Sequence, residues 1–325
     1  MEEKLKNELC TSNSLWDNFI LKSENKNIFS ISEFSNNENF KNERVFIKKN
    51  DEILGSFNLF LDSKKICDGN RIYSPINFKF FEKTNNSSIY YKKHNIIKSF
   101  ISHITERFQD GIFTLDTCAQ DHRPCLWHNF EKQREIFSIK EVRYTSILNT
   151  KYKFEKIDID EIIHSEMFDK FSRSIKQQIK SSKKEKFEFK ETEELNYAFE
   201  ILNKTFEKQN KKVDFDINEY EKIYTKLINK KRLKMFVVKK KQKILAFCIF
   251  GIIKDHAIYL NGGRDGNKND DYSLTYCLAM SLVKLSVFGT KTIDLEGLNS
   301  PKRAFWKQGF GGTLTPYFKI CMSKS

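Results

Sequence analysis

Two runs of the chain alternate apolar and polar residues: residues 44–60 (RVFIKKNDEILGSFNLF) and residues 235–253 (MFVVKKKQKILAFCIFGII). A period of two with a polar break in the middle predicts a β-hairpin in each. The first turn falls at Lys49–Glu52, where Asn50 and Asp51 favour it, and the second near Lys241. Each hairpin is followed later by a stretch with apolar residues at helical spacing, Tyr90–Phe108 and Tyr272–Phe288, closed by Gly111 and Gly289. Short strands then follow, IFTLDT and TKTIDLE. Each leads into a segment with an arginine and a tryptophan, HRPCLWHNF at 122–130 and PKRAFWKQGF at 301–310.

The shared order of hairpin, helix, glycine, acid-bearing strand and Arg-Trp segment predicts two copies of one α/β unit. We place the first at 1–150 and the second at 151–325. Between them, residues 158–184 carry Ile159, Ile162, Ile163, Phe168, Phe171, Ile175 and Ile179 on one face of a helical stretch with a basic opposite face. Two more helices are expected near 193–208 and 218–229, as scaffold.

With 325 residues, 30 Phe and 12 Tyr against 4 Pro and 12 Gly, the chain can build a large core with few flexible linkers. No apolar run reaches the roughly 20 residues needed to span a bilayer, and MEEKLKNELC lacks the apolar centre of a secretion signal. A cytoplasmic protein is expected. Its 7 cysteines are scattered and odd in number, which suits reduced thiols. The formal charge of +14 admits a polyanionic partner such as tRNA, the densest basic run being 176–190. The abundance of Lys and Asn throughout equally fits a compositional origin. Cys118, His122, Cys125 and His128 have a spacing that fits no common structural zinc motif, and no metal is expected.

The stretch IDLEG at 293–297 followed by FWKQGFGG at 305–312 resembles the FemABX family and its wider relatives in the GNAT acyltransferase superfamily. DHRPCLWHNF, VRYTSIL at 142–148 and SRSIKQQIKSSKK at 172–184 resemble further parts of that family, so the likeness covers nearly the whole chain. It implies two tandem GNAT-like domains, each a mixed, mostly antiparallel sheet flanked by helices. The N-terminal one would bind the acceptor, and the C-terminal one would bind the acyl donor and carry catalysis. The activity it implies is transfer of an acyl or aminoacyl group to an amine of an amino sugar or a nucleotide- or lipid-linked envelope precursor. No tightly bound cofactor is implied; the donor would be aminoacyl-tRNA or acyl-CoA. Members that hold coenzyme A carry a Q/R-x-x-G-x-G/A loop before the long helix, from which GGRDGNKNDDYS at 262–273 departs. An acyl-CoA-dependent acetyltransferase is the nearest alternative, and a non-catalytic RNA-binding protein the alternative from another class.

Amide formation needs a neutral amine, a polarised carbonyl and a route for the proton. Asp294 and Glu296, two apart on an expected strand, would share one face and handle the amine proton. Lys307 matches the lysine of the family's F-K-x-x-F motif and would stabilise charge on the carbonyl oxygen. Phe305 stands where many GNAT enzymes have a tyrosine acid, which leaves water, Tyr259, Tyr272 or Tyr276 to protonate the leaving group. Asp121, Arg123 and Trp127, with Arg143 and Tyr144 nearby, suit a phosphate or sugar face. Arg264, Tyr276 and Trp306 complete the expected substrate contacts.

Overall fold

The computed structural model describes every residue except 1–4, 36–40, 69–75, 82–85, 120, 151, 153, 208–216, 266–271 and 325. The chain forms two compact units, Met1–Arg143 with Pro316–Ser325, and Tyr144–Thr315.

Through the first unit run β1 (Lys6–Leu9), α1 (Asn13–Lys22), α2 (Ser32–Ser35), β2 (Lys41–Lys49), β3 (Glu52–Asp62), β4 (Lys65–Cys67), β5 (Ile76–Phe78), α3 (Asn86–Arg107), β6 (Asp110–Leu115), α4 (Arg123–Lys132) and the start of β7 (Phe137–Asn149). Then come α5 (Ile159–Ile163), α6 (Glu166–Asp169), α7 (Arg173–Ser182), β8 (Glu188–Thr192), α8 (Asn196–Glu207), α9 (Ile217–Asn229), β9 (Leu233–Lys240), β10 (Lys243–Ile253), β11 (His256–Arg264), α10 (Ser273–Val287), β12 (Thr292–Asp294), α11 (Pro301–Gln308) and β13 (Thr313–Ser323).

Both hairpins form where the alternation predicts them. Lys49 pairs with Glu52 across the first turn and Lys240 with Lys243 across the second. Asn50, Lys241 and Gln242 all take positive φ, as tight hairpin turns require. Long helices and acid-bearing strands follow in both halves, so the duplicated order holds. In the first unit the strands run β1-β2-β3-β4-β6-β13, with β4 and β6 parallel and the rest antiparallel. The second runs β8-β9-β10-β11-β12-β7, with β11 and β12 parallel. The fold is therefore mixed α/β with mostly antiparallel sheets.

A single cut at 150 does not divide the molecule this way. The sixth strand of each sheet comes from the other repeat: the last residues of β7 pair with β12, and the last residues of β13 pair with β6. Each repeat's final strand is exchanged. The helical stretch 158–184 is also three helices rather than one, because Asp158, Ser165 and Ser172 each cap a new start by accepting backbone N–H groups.

The first core gathers Phe57, Phe100, Phe113 and Phe137 with the inward face of α3. In the second, Phe236, Phe250 and Phe310 pack around α10, which is buried along most of its length. That all-round burial makes α10 a rigid post for its neighbours.

Candidate active site

In the second unit β11 and β12 pair over only three positions, His256–Ile258 with Thr292–Asp294. Beyond that β11 continues to Arg264 with β10 alone at its side, while β12 stops. Among the described residues no strand covers the other edge of residues 259–264.

The chain turns at this point because Asp294 holds it. Buried at the end of β12, its Oδ1 accepts the Glu296 N–H at 2.8 Å and the Thr145 hydroxyl of β7. Glu296 and Gly297 then take φ of +47° and +59°, a left-handed pair that ends the strand. Asp294 and Glu296 thus do not share a strand face as their spacing suggests. The turn aims the Glu296 carbonyl inward instead, and Lys307 Nζ donates to it at 2.6 Å.

Lys307 is the centre of this arrangement. Pro301 and the α11 backbone bring it in, with Trp306 Nε1 bonded to Thr275 Oγ1 of α10 at 2.9 Å and Phe310 packed in the core, while Phe305 points to solvent at 82% exposure. The lysine is only 6% exposed. Its ammonium lies 4.6 Å from the centroid of the Tyr259 ring and 3.8 Å from Glu296 Oε2. Burial lowers its pKa, with Arg303 adding to the effect and Glu296, Asp294 and Cys248 opposing it. Tyr259 and Cys248 are both pushed well above their ordinary values, chiefly by burial, so both stay neutral.

A Cβ at Gly262 would stand 1.8 Å from the Tyr259 hydroxyl. Only glycine leaves room for the tyrosine to lie along the sheet and present its face to the ammonium. A desolvated cation with one carbonyl, one carboxylate and one ring as partners sits beside the turn where β11 and β12 part. It can stabilise negative charge arising on a bound carbonyl oxygen, and the Glu296 carboxylate, part-exposed at its side, can accept a proton.

Of the expected residues, Asp294, Glu296, Lys307 and Trp306 come together here. Tyr276 lies elsewhere: its ring packs at a tilt against Phe187, and it lines a groove of about 390 Å³ with Asp158, Phe189 and Met280. Arg264 closes β11, opposite Ala246. Tyr144 donates its backbone N–H to Asn299 Oδ1, which ties β7 to the segment after Gly297. Asp121, Arg123 and Trp127 form a cluster of their own in the first unit, and Arg143 pairs with Glu141 at 3.0 Å. The 262–273 loop lies partly outside the described residues. Thr145, Gly262 and the seating of Tyr259 under Lys307 went unread. Thr145 stood inside VRYTSIL and Gly262 inside a glycine pair, but nothing local marks either as serving a lysine far along the chain.

No protein-family model and no curated protein matches the sequence. Solved structures do match the fold. The chain is similar to FemX (TM-score 0.65, 13% identity, 97% of this chain and 96% of that one). It is also similar to L-PGS from Bacillus licheniformis (TM-score 0.53, 10% identity, 85% and 82%). A tandem GNAT protein from the clavulanic acid biosynthesis pathway matches as well (TM-score 0.52, 6% identity, 98% and 98%). The chain thus shares its fold with FemX and with a tandem GNAT protein, as the sequence motifs implied.

Proposed function

We propose that the second unit catalyses N-acyl transfer, moving an acyl or aminoacyl group from an activated ester or thioester to an amine. The observation that carries this reading is the buried Lys307 ammonium, held on the Glu296 carbonyl at the point where β11 and β12 part. Attack by the amine forms the C–N bond and breaks C–O or C–S. The Glu296 carboxylate takes the amine proton and passes it to the leaving oxygen or sulfur, and Lys307 stabilises the oxyanion. Asp294 acts by holding the turn.

The donor we favour is aminoacyl-tRNA, with acyl-CoA as the alternative, and the acceptor is an amino sugar or a nucleotide- or lipid-linked amine. Among the described residues no helix is long and apolar enough to cross a membrane. Assays of purified protein with both donors and amino-sugar acceptors test the proposal. Lys307→Met and Glu296→Gln are each expected to lose about a hundredfold or more in turnover. Wild-type rates in both variants would remove the site. Coenzyme A raising the melting temperature by linkage would select the acyl-CoA donor.

A further inference from the structure

Helix α1 runs alongside β2. Arg44 of β2 bonds Asn13 at 2.7 Å, and the Phe46 ring stacks on Trp16 at 5.5 Å and lies edge-on to Phe19 at 5.7 Å. A bridge between Ser23 and Lys79, and the pairing of Lys48 with Ile53, bring both lysines to the end where Lys22 closes the helix. Between α1 and the strands β1–β3 lies a groove of about 390 Å³, within the first unit. Leu9, Leu15, Phe19, Phe46 and Ile53 give it apolar walls, and the two leucines are 64% and 61% exposed. From Leu15 to Lys22 the helix advances about 10 Å, so the groove is an elongated cleft with lysines at one end.

That end holds one cation more than its acids neutralise. Lys48 bonds Glu8 at 2.6 Å and Lys79 bonds Glu52, whereas Lys22 has no carboxylate partner among the described residues. The further charges acting on the two carboxylates are basic as well, Lys6 on Glu8 and Lys49 with Lys92 on Glu52. Asn18, one turn before Lys22, lines the groove beside it, and its amide has no protein partner among the described residues. Because Cα–Cβ bonds tilt toward a helix N-terminus, the Asn18 and Lys22 heads stand on the flank of α1 and away from its carbonyl end.

A single unneutralised ammonium beside a neutral amide donor matches one carboxylate, an oxygen to each, and the apolar cleft leading away from them matches a hydrocarbon chain. We infer that the groove between α1 and β1–β3 binds a free alkyl carboxylate, its chain against Leu9, Leu15, Phe19 and Phe46 and its head on Asn18 and Lys22. The groove belongs to the first unit, and the inference stands whether or not the second transfers acyl groups.

Titration calorimetry of the full chain with monomeric octanoate tests this. Octanoate should bind with a dissociation constant below about 1 mM, and both octanol, which lacks the charge, and acetate, which lacks the chain, should bind at least about tenfold more weakly. Lys22→Met should weaken octanoate about tenfold and Leu15→Asn several-fold, with melting temperatures unchanged because both side chains are exposed. Lys180→Met, on α7 of the second unit, should leave binding as it is. Five outcomes would each overturn the inference: no saturable binding of octanoate, equal binding of octanol, octyl phosphate binding more tightly than octanoate, unchanged affinity in Lys22→Met, or self-association of the free chain that Leu15→Asn abolishes, which would give the groove to a second copy.

Discussion

The two units build the same turn and put it to different use. Asp116, just past β6, and Asp294, at the end of β12, each accept with Oδ1 the N–H of the residue two further on, Cys118 at 2.9 Å and Glu296 at 2.8 Å. Around Asp116 the turn closes on itself, with Ala119 also donating and Asn25 Nδ2 reaching the second oxygen at 2.7 Å. Around Asp294 the chain enters left-handed conformation and swings a carbonyl toward a lysine. After each tryptophan comes the deciding residue: His128, packed on Phe137, or Lys307, packed on Tyr259. The duplicated scaffold supplies the frame, and under the proposed function the chemistry depends on which side chain the short helix turns inward.

The sharpest way to break this comparison is to remove both inward residues. Lys307→Met should lower kcat/KM for acyl transfer about 10²–10³-fold, while His128→Met should leave it within about twofold. Melting temperature separates chemistry from folding. Lys307→Met takes a buried donor from the Glu296 carbonyl and a partner from its carboxylate, so a stability loss of about 1–3 kcal/mol is expected, and activities are compared below the melting temperature of the variant. Because the Lys307 pKa is lowered, wild-type activity should fall with rising pH earlier than an ordinary lysine would dictate. Equal loss of activity in the two variants would erase the distinction between the units.

The closed turn of the first unit has its own pH signature. Burial raises the Asp116 carboxyl from 3.8 to about 6 despite its three donors. Between those values the folded state keeps a proton that the unfolded state has released, so stability falls as pH rises through the window. The drop is about 3 kcal/mol. Asp116→Asn keeps the amide oxygen as acceptor and removes the titration. Denaturant unfolding from about pH 4 to about pH 6 should therefore show a flatter profile in the variant, and an unchanged slope would count against a buried carboxyl there.

Much of this was legible beforehand, for identifiable reasons. Hairpins and long helices declare themselves through local periodicity, and the repeated order of elements told of duplication. IDLEG and FWKQGF are segments that the fold brings together around Lys307. The strand exchange was hidden, because nothing local distinguishes a β7 that ends on β12 from one that stays with its own repeat. Glu296 was misplaced for a similar reason: alternation extends a strand until something stops it, and the stop is a buried hydrogen bond from Thr145, some 150 residues away. Ser165 and Ser172 were readable as caps that divide one helical stretch into pieces, yet the apolar spacing masked them.

Gly262→Ala tests the seat of the lysine. The added methyl collides with the Tyr259 hydroxyl, so the ring must move out from under Nζ. We expect a stability loss of about 1–3 kcal/mol and a fall of about tenfold in turnover. A first-unit counterpart for comparison is Gly111→Ala, where the added Cβ would meet Ile66 at 2.8 Å; that change should cost stability but not turnover. If Gly262→Ala lost stability alone, Tyr259 would be packing rather than positioning.

The smallest effect, and the finest cut, comes from Thr145. Its hydroxyl donates to the same Asp294 oxygen that receives the Glu296 N–H, so it steadies the turn without touching Lys307. Thr145→Val keeps the shape and deletes the donor, leaving a buried carboxylate oxygen one partner short at a cost of about 1–2 kcal/mol. A loosened turn lets the Glu296 carbonyl drift from Nζ, and kcat should fall several-fold while KM holds, since the Thr145 hydroxyl acts on Asp294 and not on Lys307. Thr145→Ser, which restores the hydroxyl, should recover most of kcat. Recovery of stability without recovery of kcat would mean that the turn carries structure only, and that the resemblance between Asp116 and Asp294 runs deeper than their surroundings suggest.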